Sequence, residues 1–300
     1  MTHITPECSE TRPDVRLKAS RGGYMRGSVR STPHSETRSI HAFITGLCVA
    51  SVLLFSLPSL GAQAARPTLR IAAAADLQPL LPDVLRAFEQ ATGIHAEATY
   101  ESSATLTQQI FNGAPFDLFL AADTSFPQRL IDKGLARESK PLVYARGTLV
   151  LWARKDAPVL HGLPLSFAVL RNPALSSVAI ANPRNAPYGR AAQAAIESMH
   201  LTSTLTPKLR VAANIAQAAQ YADSGNAEVG FLSLTSASTA RLEADGTFLR
   251  VPPETYPPIL QGAVVLRHAQ NGSGAARLLD YLRTPAIGST LRQKGLMPPP

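Results

Sequence analysis

The sequence predicts an α/β protein of two lobes, with the chain crossing twice between them. From residue 69 onward, short apolar segments of strand length alternate with segments of helical periodicity, a pattern that indicates parallel sheets covered by helices. Two passages predict the crossings: residues 143–147 and the proline-rich residues 252–258. A chain of 300 residues with 45% hydrophobic content is long enough for two cores. The cleft between two such lobes is a natural ligand site.

The first part of the chain shows this alternation most clearly. The run LRIAAA at residues 69–74 predicts a buried strand, and the apolar residues within 77–88 recur at helix spacing. Asp76 is the predicted N-cap of that helix, and the adjacent Ser102 and Ser103 stand at the start of a later helix. Both turns lead from a strand into a helix, so they lie at the same edge of the sheet, where α/β proteins bind ligands. The unpaired amides of these helix starts predict a site for a small anion.

The rest of the chain continues the pattern and divides into two lobes. We predict lobe 1 at residues 65–145 and 256–300, and lobe 2 at residues 146–255. The later predicted strands are residues 116–121, 147–153, 178–181, 209–211, 229–232, 247–251 and 259–266. The later predicted helices are residues 125–133, 165–170, 190–199, 214–222, 274–282 and 285–294.

Residues 1–64 predict a leader that is removed on export. An uncharged run at residues 42–60 is followed at residues 62–64 by Ala-Gln-Ala, the small-residue pattern of signal-peptide cleavage. A transmembrane anchor is the alternative, and the run is near the lower length limit for a span. The long stretch before the run leaves open whether Met1 or Met25 starts the chain. Cleavage after residue 64 predicts a periplasmic protein.

The composition after the leader excludes several classes of protein. Cys8 and Cys48 both lie in the leader, so the mature chain keeps no thiol for a disulfide or a metal. It keeps 22 basic and 17 acidic residues, a net charge of +5. The basic residues are scattered and form no stripe interleaved with aromatics, which argues against a nucleic-acid partner. A mild positive field favours a small anion.

Five segments after residue 64 form an ordered set: IAAAADL at residues 71–77, SSATLTQQI at 102–110, GAPFDLFLAAD at 113–123, NPRNAPYGRAA at 182–192 and GNAEVGFLSLT at 225–235. Taken in this order, they resemble the periplasmic molybdate-binding proteins of ABC importers. The resemblance covers nearly all of the chain after residue 64 and implies a type II periplasmic-binding-protein fold, a Venus flytrap closing on one tetrahedral oxyanion.

The resemblance also implies which residues contact the oxyanion. The implied contacts are the backbone N–H groups of Ala75, Asp76 and Ile215 and the hydroxyl groups of Ser103 and Tyr188. Of these, Ser103, Tyr188 and Ile215 would hold molybdenum in its oxyanion form. Two further candidates are Ser102, which is also expected as a helix cap, and Ser233, where some relatives place another hydroxyl. The implied ligand is molybdate, with tungstate close behind, and no cofactor is expected.

Asp76 departs from the family pattern, because the first turn there usually offers a hydroxyl or amide side chain. A carboxylate about 4 Å from a dianion, at an effective dielectric constant near 20, would cost roughly 8 kcal/mol. We therefore expect the Asp76 carboxylate to turn away from the cleft and to cap its own helix or pair with a basic residue. An inward carboxylate would instead favour a cation or a protonated ligand.

Other functions remain open from the sequence alone. A sulfate- or phosphate-binding protein, or a sensor module that presents its loaded lobes to a membrane receptor, would use the same cleft. A hydrolytic enzyme is disfavoured, because no HExxH, GxSxG or Walker-type motif occurs and the histidines after the leader are isolated. These histidines are His95, His161, His200 and His268. The expected partners are a small oxyanion and an inner-membrane ABC permease, with the protein itself a monomer.

Overall fold

A computed structural model describes residues 68–299, so the predicted leader and its two cysteines lie outside the described residues. The described part forms two five-stranded sheets with helices packed on their faces. This is the two-lobed α/β architecture that the alternation predicts. We call the elements around the first sheet lobe 1 and those around the second sheet lobe 2.

The strands of the described part follow one another from residue 69 to residue 265. In chain order they are β1 Leu69–Ala74, β2 Ala96–Glu101, β3 Leu118–Ala121, β4 Leu142–Gly147, β5 Leu149–Arg154, β6 Val178–Ala181, β7 Leu209–Ala212, β8 Val229–Ser233, β9 Gly246–Arg250 and β10 Ile259–Val265.

The α-helices fill most of the connections between these strands. They are α1 Leu81–Thr92, α2 Ser103–Phe111, α3 Ser125–Asp132, α4 Pro187–Ser198, α5 Thr202–Leu205, α6 Ile215–Asp223, α7 Leu234–Ala237, α8 Ala240–Asp245, α9 Gly272–Leu282 and α10 Pro285–Gln293. Short 3₁₀ turns occur at Ala75–Leu77, Pro158–Leu160, Phe167–Arg171, Thr206–Lys208 and Pro253–Thr255. Within residues 68–299, none of the helices combines the length and the apolar character needed to cross a bilayer.

The sheet of lobe 1 has the strand order β2-β1-β3-β10-β4. Strand β1 runs parallel to β2 and β3, whereas β10 runs antiparallel to β3 and β4. The central strands are covered on both faces, and β3 is buried at every position. This burial explains why their sequences are continuous apolar runs rather than alternating ones. The carboxyl ends of β1, β2 and β3 meet at one edge of the sheet.

The sheet of lobe 2 repeats this plan with the order β7-β6-β8-β5-β9. Strands β6, β7 and β8 are parallel, and β5 is antiparallel to both β8 and β9. Each sheet thus combines three parallel strands from β-α-β units with two strands that carry the chain between the lobes. The parallel strands again end at one edge, from which α4 and α6 begin.

Strand β4 lies where the sequence predicted only a crossing between lobes. Tyr144 and Ala145 are buried and Arg146 is exposed, and the segment pairs antiparallel with β10. That pairing joins residues more than 110 positions apart, so the local sequence pattern did not reveal it. Only Thr148 separates β4 from β5, and the chain changes sheets at that residue. The lobe boundaries at residues 145/146 and 255/256 stay a prediction.

Trp152, the single tryptophan of the chain, lies at the centre of the core of lobe 2. Its side chain is fully buried, and its indole Nε1 donates a hydrogen bond to the carbonyl of Leu242 at 3.2 Å. Gly246 packs directly against the indole ring. A Cβ atom added at Gly246 would lie 2.1 Å from Cζ2 of Trp152, so this close approach requires glycine.

We predict that Gly246→Ala lowers the free energy of unfolding by about 1–3 kcal/mol, because the added methyl group overpacks the indole. The matched control is Gly288→Ala in α10, where an added Cβ meets its nearest atom, Nη1 of Arg292, at 3.9 Å. Alanine there should leave stability unchanged or raise it by up to about 1 kcal/mol. Urea unfolding followed by Trp152 fluorescence measures both variants. Equal stability of the two would contradict this account of the core.

Candidate ligand-binding site

One small cavity between the lobes collects six of the seven residues that the sequence indicated. The volume open to a water-sized sphere is about 10 Å³, enough for one water molecule. Lobe 1 contributes the turns after β1, β2 and β3, and lobe 2 contributes the starts of α4 and α6. The lining residues are Ala74, Ala75, Asp76, Glu101, Ser102, Ser103, Ala122, Ala186, Pro187, Tyr188, Asn214 and Ile215.

Ser102 and Ser103 accept different hydrogen bonds at the start of α2. Ser102 is the N-cap, and its Oγ accepts a hydrogen bond from the amide of Thr105 at 3.1 Å. Ser103 is buried, and its Oγ accepts from the amide of Ala122 at 3.1 Å. A serine hydroxyl that already accepts one bond keeps its hydrogen for donation. The Ser103 hydroxyl is therefore held in place as a donor at the cavity wall.

The start of α6 lines the same cavity with Asn214 and Ile215. Asn214 is the N-cap, and its Oδ1 accepts from the amide of Gln217 at 3.0 Å. The side chain of Gln217 in turn accepts from the amide of Ala213 at 2.7 Å. These two bonds cap the start of α6, and the amides of Ile215 and Ala216, the first two of the helix, have no intrahelical acceptor. Ile215 lines the cavity.

Tyr188 stands in the first turn of α4 and reaches from lobe 2 to lobe 1. Its side chain is buried, and its hydroxyl donates a hydrogen bond to Oδ2 of Asp76 at 3.1 Å. The ring end packs over the last residue of β4, since a Cβ added at Gly147 would lie 2.2 Å from the hydroxyl oxygen. Glycine at this position leaves room for the phenol beside the crossing between lobes.

Asp76 is fully buried and bonded only to neutral groups. Besides Tyr188, the side-chain amide of Gln261 donates to the same oxygen, Oδ2. Tyr144 fixes the orientation of that amide by donating to Oε1 of Gln261 at 2.8 Å. The other carboxylate oxygen, Oδ1, is buried and has no hydrogen-bond partner among the described residues. The carboxylate therefore lacks any compensating positive charge in its contacts.

This environment shifts the pKa of the carboxyl group. Burial raises the pKa of Asp76 from 3.8 to about 6, although the hydrogen bonds from Gln261 and Tyr188 oppose the rise. Burial, with the nearby charge of Asp76, also raises the pKa of the Tyr188 and Tyr144 phenols well above the usual value. Both phenols are therefore protonated donors at neutral pH.

The expected orientation of Asp76 was wrong. The 3₁₀ turn Ala75–Leu77 has Ala74 as its N-cap and no side-chain cap, and α1 begins only at Leu81. Asp76 therefore neither caps a helix nor pairs with a basic residue. The local sequence suggested a cap because aspartate commonly occupies that position before a helix. Two neutral partners from distant segments, at positions 188 and 261, hold the carboxylate instead.

Further contacts hold the lobes together around the cavity. The amide of Ala104 donates to the carbonyl of Asn185 at 3.2 Å, and Nδ2 of Asn214 donates to Oε2 of Glu101 at 3.2 Å. Arg190 of α4 forms an ion pair with Asp123 and lies 5.4 Å above the Phe126 ring. An oxyanion with four oxygen atoms needs more room than the cavity offers, so its entry requires the lobes to separate.

Ser233 is the one sequence candidate that lies away from the cavity. It caps α7, where its Oγ accepts from the amide of Ser236 at 3.2 Å and from the hydroxyl of Thr235 at 2.8 Å. Gln261, which bonds Asp76, and Tyr144, which bonds Gln261, were not among the residues predicted from the sequence. A glutamine within the apolar strand at residues 259–266 was a usable signal in the sequence. In the structure β10 shifts register after Gln261, and such bulges re-aim side chains.

The charges around the cavity are unusual for an anion site. None of the described residues that line it is lysine, arginine or histidine, whereas two of them, Asp76 and Glu101, carry carboxyl groups. Within residues 68–299, no group of three or more His, Cys, Asp or Glu residues could hold a metal ion. The positive potential that the cavity offers comes from helix starts, where backbone N–H groups carry partial positive charge.

Comparisons with known proteins agree with this architecture. The family model for bacterial extracellular solute-binding proteins matches residues 69–297. The molybdate-binding protein ModA of Azotobacter vinelandii is 36% identical over 234 residues, covering 78% of this chain and 90% of that protein. The ModA protein of Rhodobacter capsulatus is 36% identical over 208 residues, 69% of this chain and 79% of that protein. Both relatives are binding proteins and not enzymes.

A solved structure shows the same fold. The periplasmic molybdate-binding protein of Azotobacter vinelandii matches with a TM-score of 0.71 and 28% identity, over 77% of this chain and 100% of that one. The two mixed sheets joined by two crossings therefore form the two-lobed solute-binding fold. With a family model that matches most of its length and two relatives above 30% identity, this chain belongs to the family of bacterial extracellular solute-binding proteins.

Proposed function

We propose that this chain is the periplasmic binding protein of an ABC importer and that its ligand is the tetrahedral oxyanion molybdate, with tungstate close behind. It acts as a monomer and delivers the anion to an inner-membrane permease. The leader at residues 1–64 directs export, and no cofactor or nucleic acid takes part. The relatives described as molybdate-binding proteins support the ligand class.

The observation that carries the proposal is the convergence of neutral donors from both lobes on one cavity. Lobe 1 supplies the Ser103 hydroxyl and the amides of the turn after β1, and lobe 2 supplies the amide of Ile215. Amides at helix starts bind anions because they are unpaired and lie at the positive end of the helix dipole. Donors on opposite walls can bind an anion only when the lobes close on it.

Asp76 favours a second candidate, an oxyanion that carries a proton, such as hydrogen phosphate. A buried carboxylate accepts hydrogen bonds and repels a dianion, whereas it would accept a bond from the P–OH group of hydrogen phosphate. Molybdate and tungstate have no such hydrogen. Hydrogen phosphate would therefore use the Asp76 carboxylate as an acceptor, whereas molybdate and tungstate would not.

Calorimetric titration of the mature protein, residues 65–300, with molybdate, tungstate, sulfate and phosphate separates these candidates. We expect tight binding of molybdate and tungstate, with weak or no binding of sulfate and phosphate. Tight binding of phosphate alone would establish the second candidate. Binding of none of the four anions would contradict the proposed function.

We predict that Ser103→Ala weakens molybdate binding by about 1–3 kcal/mol, because it removes a hydrogen bond to a charged ligand. Tyr188→Phe should have an effect of similar size. The control is Ser233→Ala, which removes a capping hydroxyl away from the cavity and should leave the affinity within twofold of the original. Thermal unfolding confirms that each variant is folded. Unchanged affinity in both Ser103→Ala and Tyr188→Phe would remove this assignment of the site.

We also predict that Asp76→Asn stabilises the ligand-free protein above pH 6. Since the pKa rises from 3.8 in the unfolded chain to about 6 in the folded protein, folding favours the protonated carboxyl, and stability falls as pH rises from about 4 to 6. At pH 8 the variant should gain up to about 3 kcal/mol in free energy of unfolding, and the gain should shrink towards pH 4.

Urea unfolding at pH 4, 6 and 8 measures this difference. The control is Asp83→Asn on the exposed face of α1, where the carboxylate pairs with Arg86 at the surface. Its effect should stay below about 1 kcal/mol at every pH. A gain for Asp76→Asn that does not vary with pH would show that packing and not charge is responsible.

A further inference from the structure

A buried carboxylate at the wall of an anion cavity poses a problem of charge balance. We propose that Asp76 is a specificity-determining residue that takes up one proton from solvent whenever the cavity binds a dianion. The proposal rests on the proposed function and deepens it, because it states which charge the site accepts and which side chain balances it. The ligand then enters as a dianion together with one proton.

The phenol of Tyr188 has one hydrogen to donate, and the hydroxyl bonds Oδ2 of Asp76 with an O–O distance of 3.1 Å. While Asp76 is ionised, the same hydrogen cannot also be given to a ligand. Once Asp76 is neutral, its oxygen is a weaker acceptor and the phenol is free to donate to the anion. Tyr188 therefore becomes a ligand donor only when Asp76 is protonated.

The contacts of the Asp76 carboxylate identify the oxygen that receives the proton. Oδ2 already accepts from Tyr188 and from the amide of Gln261, and Tyr144 holds that amide with its N–H₂ side towards Asp76. Oδ1 is buried and has no hydrogen-bond partner among the described residues. The proton therefore adds at Oδ1, from water, and no bond within the anion breaks. The resulting O–H group becomes an additional donor where an acceptor stood.

Among the described residues, no group near Asp76 can supply a positive charge. Asp76 is faced by the phenols of Tyr188 and Tyr144 and, across the cavity, by Glu101, none of which is cationic. The remaining titratable or charged groups on the elements around it have other partners or lie on other faces. They are Glu97 and Tyr100 on β2, Arg146 on β4, Arg190 and Glu197 on α4, Tyr221 and Asp223 on α6, and Tyr256 beside Tyr188.

The loss of affinity expected with neutral Asp76 is much smaller than the loss expected with ionised Asp76. With a pKa of about 6, roughly one molecule in ten carries the proton at pH 7, so binding through the neutral form weakens the apparent affinity about tenfold. Ionised Asp76 about 4 Å from a dianion would weaken it roughly a millionfold at an effective dielectric constant near 20. The neutral form therefore dominates binding throughout the neutral pH range.

The test is calorimetric titration of the mature protein with molybdate between pH 6.5 and 9, in buffers of different ionisation enthalpy. Molybdate stays a dianion over this range, so proton uptake reports on the protein. We expect uptake close to one proton per bound anion at pH 8, and an apparent Kd that rises about tenfold per pH unit from pH 7 to 9.

Three variants test whether Asp76 is the group that takes up the proton. Asp76→Asn should bind with no proton uptake and no dependence on pH, and should bind more tightly than the original protein at pH 9. Glu101→Gln, which removes the other carboxyl group of the cavity, should keep the uptake and the pH dependence. Ser103→Ala should weaken binding and also keep both.

The outcomes separate the two proposals. Binding of molybdate by the original protein without proton uptake at pH 8 would overturn the inference while the proposed function stands, and this measurement needs no variant. Uptake that persists in Asp76→Asn and disappears in Glu101→Gln would also overturn it. Failure of the original protein to bind either molybdate or tungstate would contradict the proposed function, and the inference with it.

Discussion

The hydrogen bond from Tyr188 to Asp76 is the contact on which the arrangement of the site depends. It joins the first turn of lobe 1 to the first turn of α4 in lobe 2, and both side chains are buried. Gln261, which accepts a bond from Tyr144, donates to the carboxylate, and Gly147 leaves space for the phenol. Separation of the lobes would break the bond between Tyr188 and Asp76.

At the proposed site, a charged ligand would be bound by neutral groups. Helix starts supply oriented amides, and a hydroxyl such as that of Ser103 is fixed by accepting a backbone bond from the opposite side. The carboxyl group of Asp76 adds a further condition, because a buried acid is tolerated beside an anion only in its neutral form.

Much of this site was predictable because its parts are local motifs. Ser103, Tyr188 and Ile215 each stand in the first turn of a helix that follows a parallel strand. In parallel sheets such turns meet at one edge, so their convergence on a cavity follows from the alternation. Ser233 occupies a similar turn yet only caps its own short helix. The motif that places a hydroxyl at a helix start is therefore the same whether that hydroxyl lines the cavity or not.

The sequence by itself determined the two α/β lobes, the caps of α2 and α6 and the set of turns at the cavity, because periodicity and capping act over a few residues. Tertiary structure alone decided that residues 142–147 form a strand and that Asp76 bonds Tyr188 and Gln261. These outcomes depend on partners more than 100 positions away. Burial, and with it the pKa of Asp76, exists only after those partners have come together.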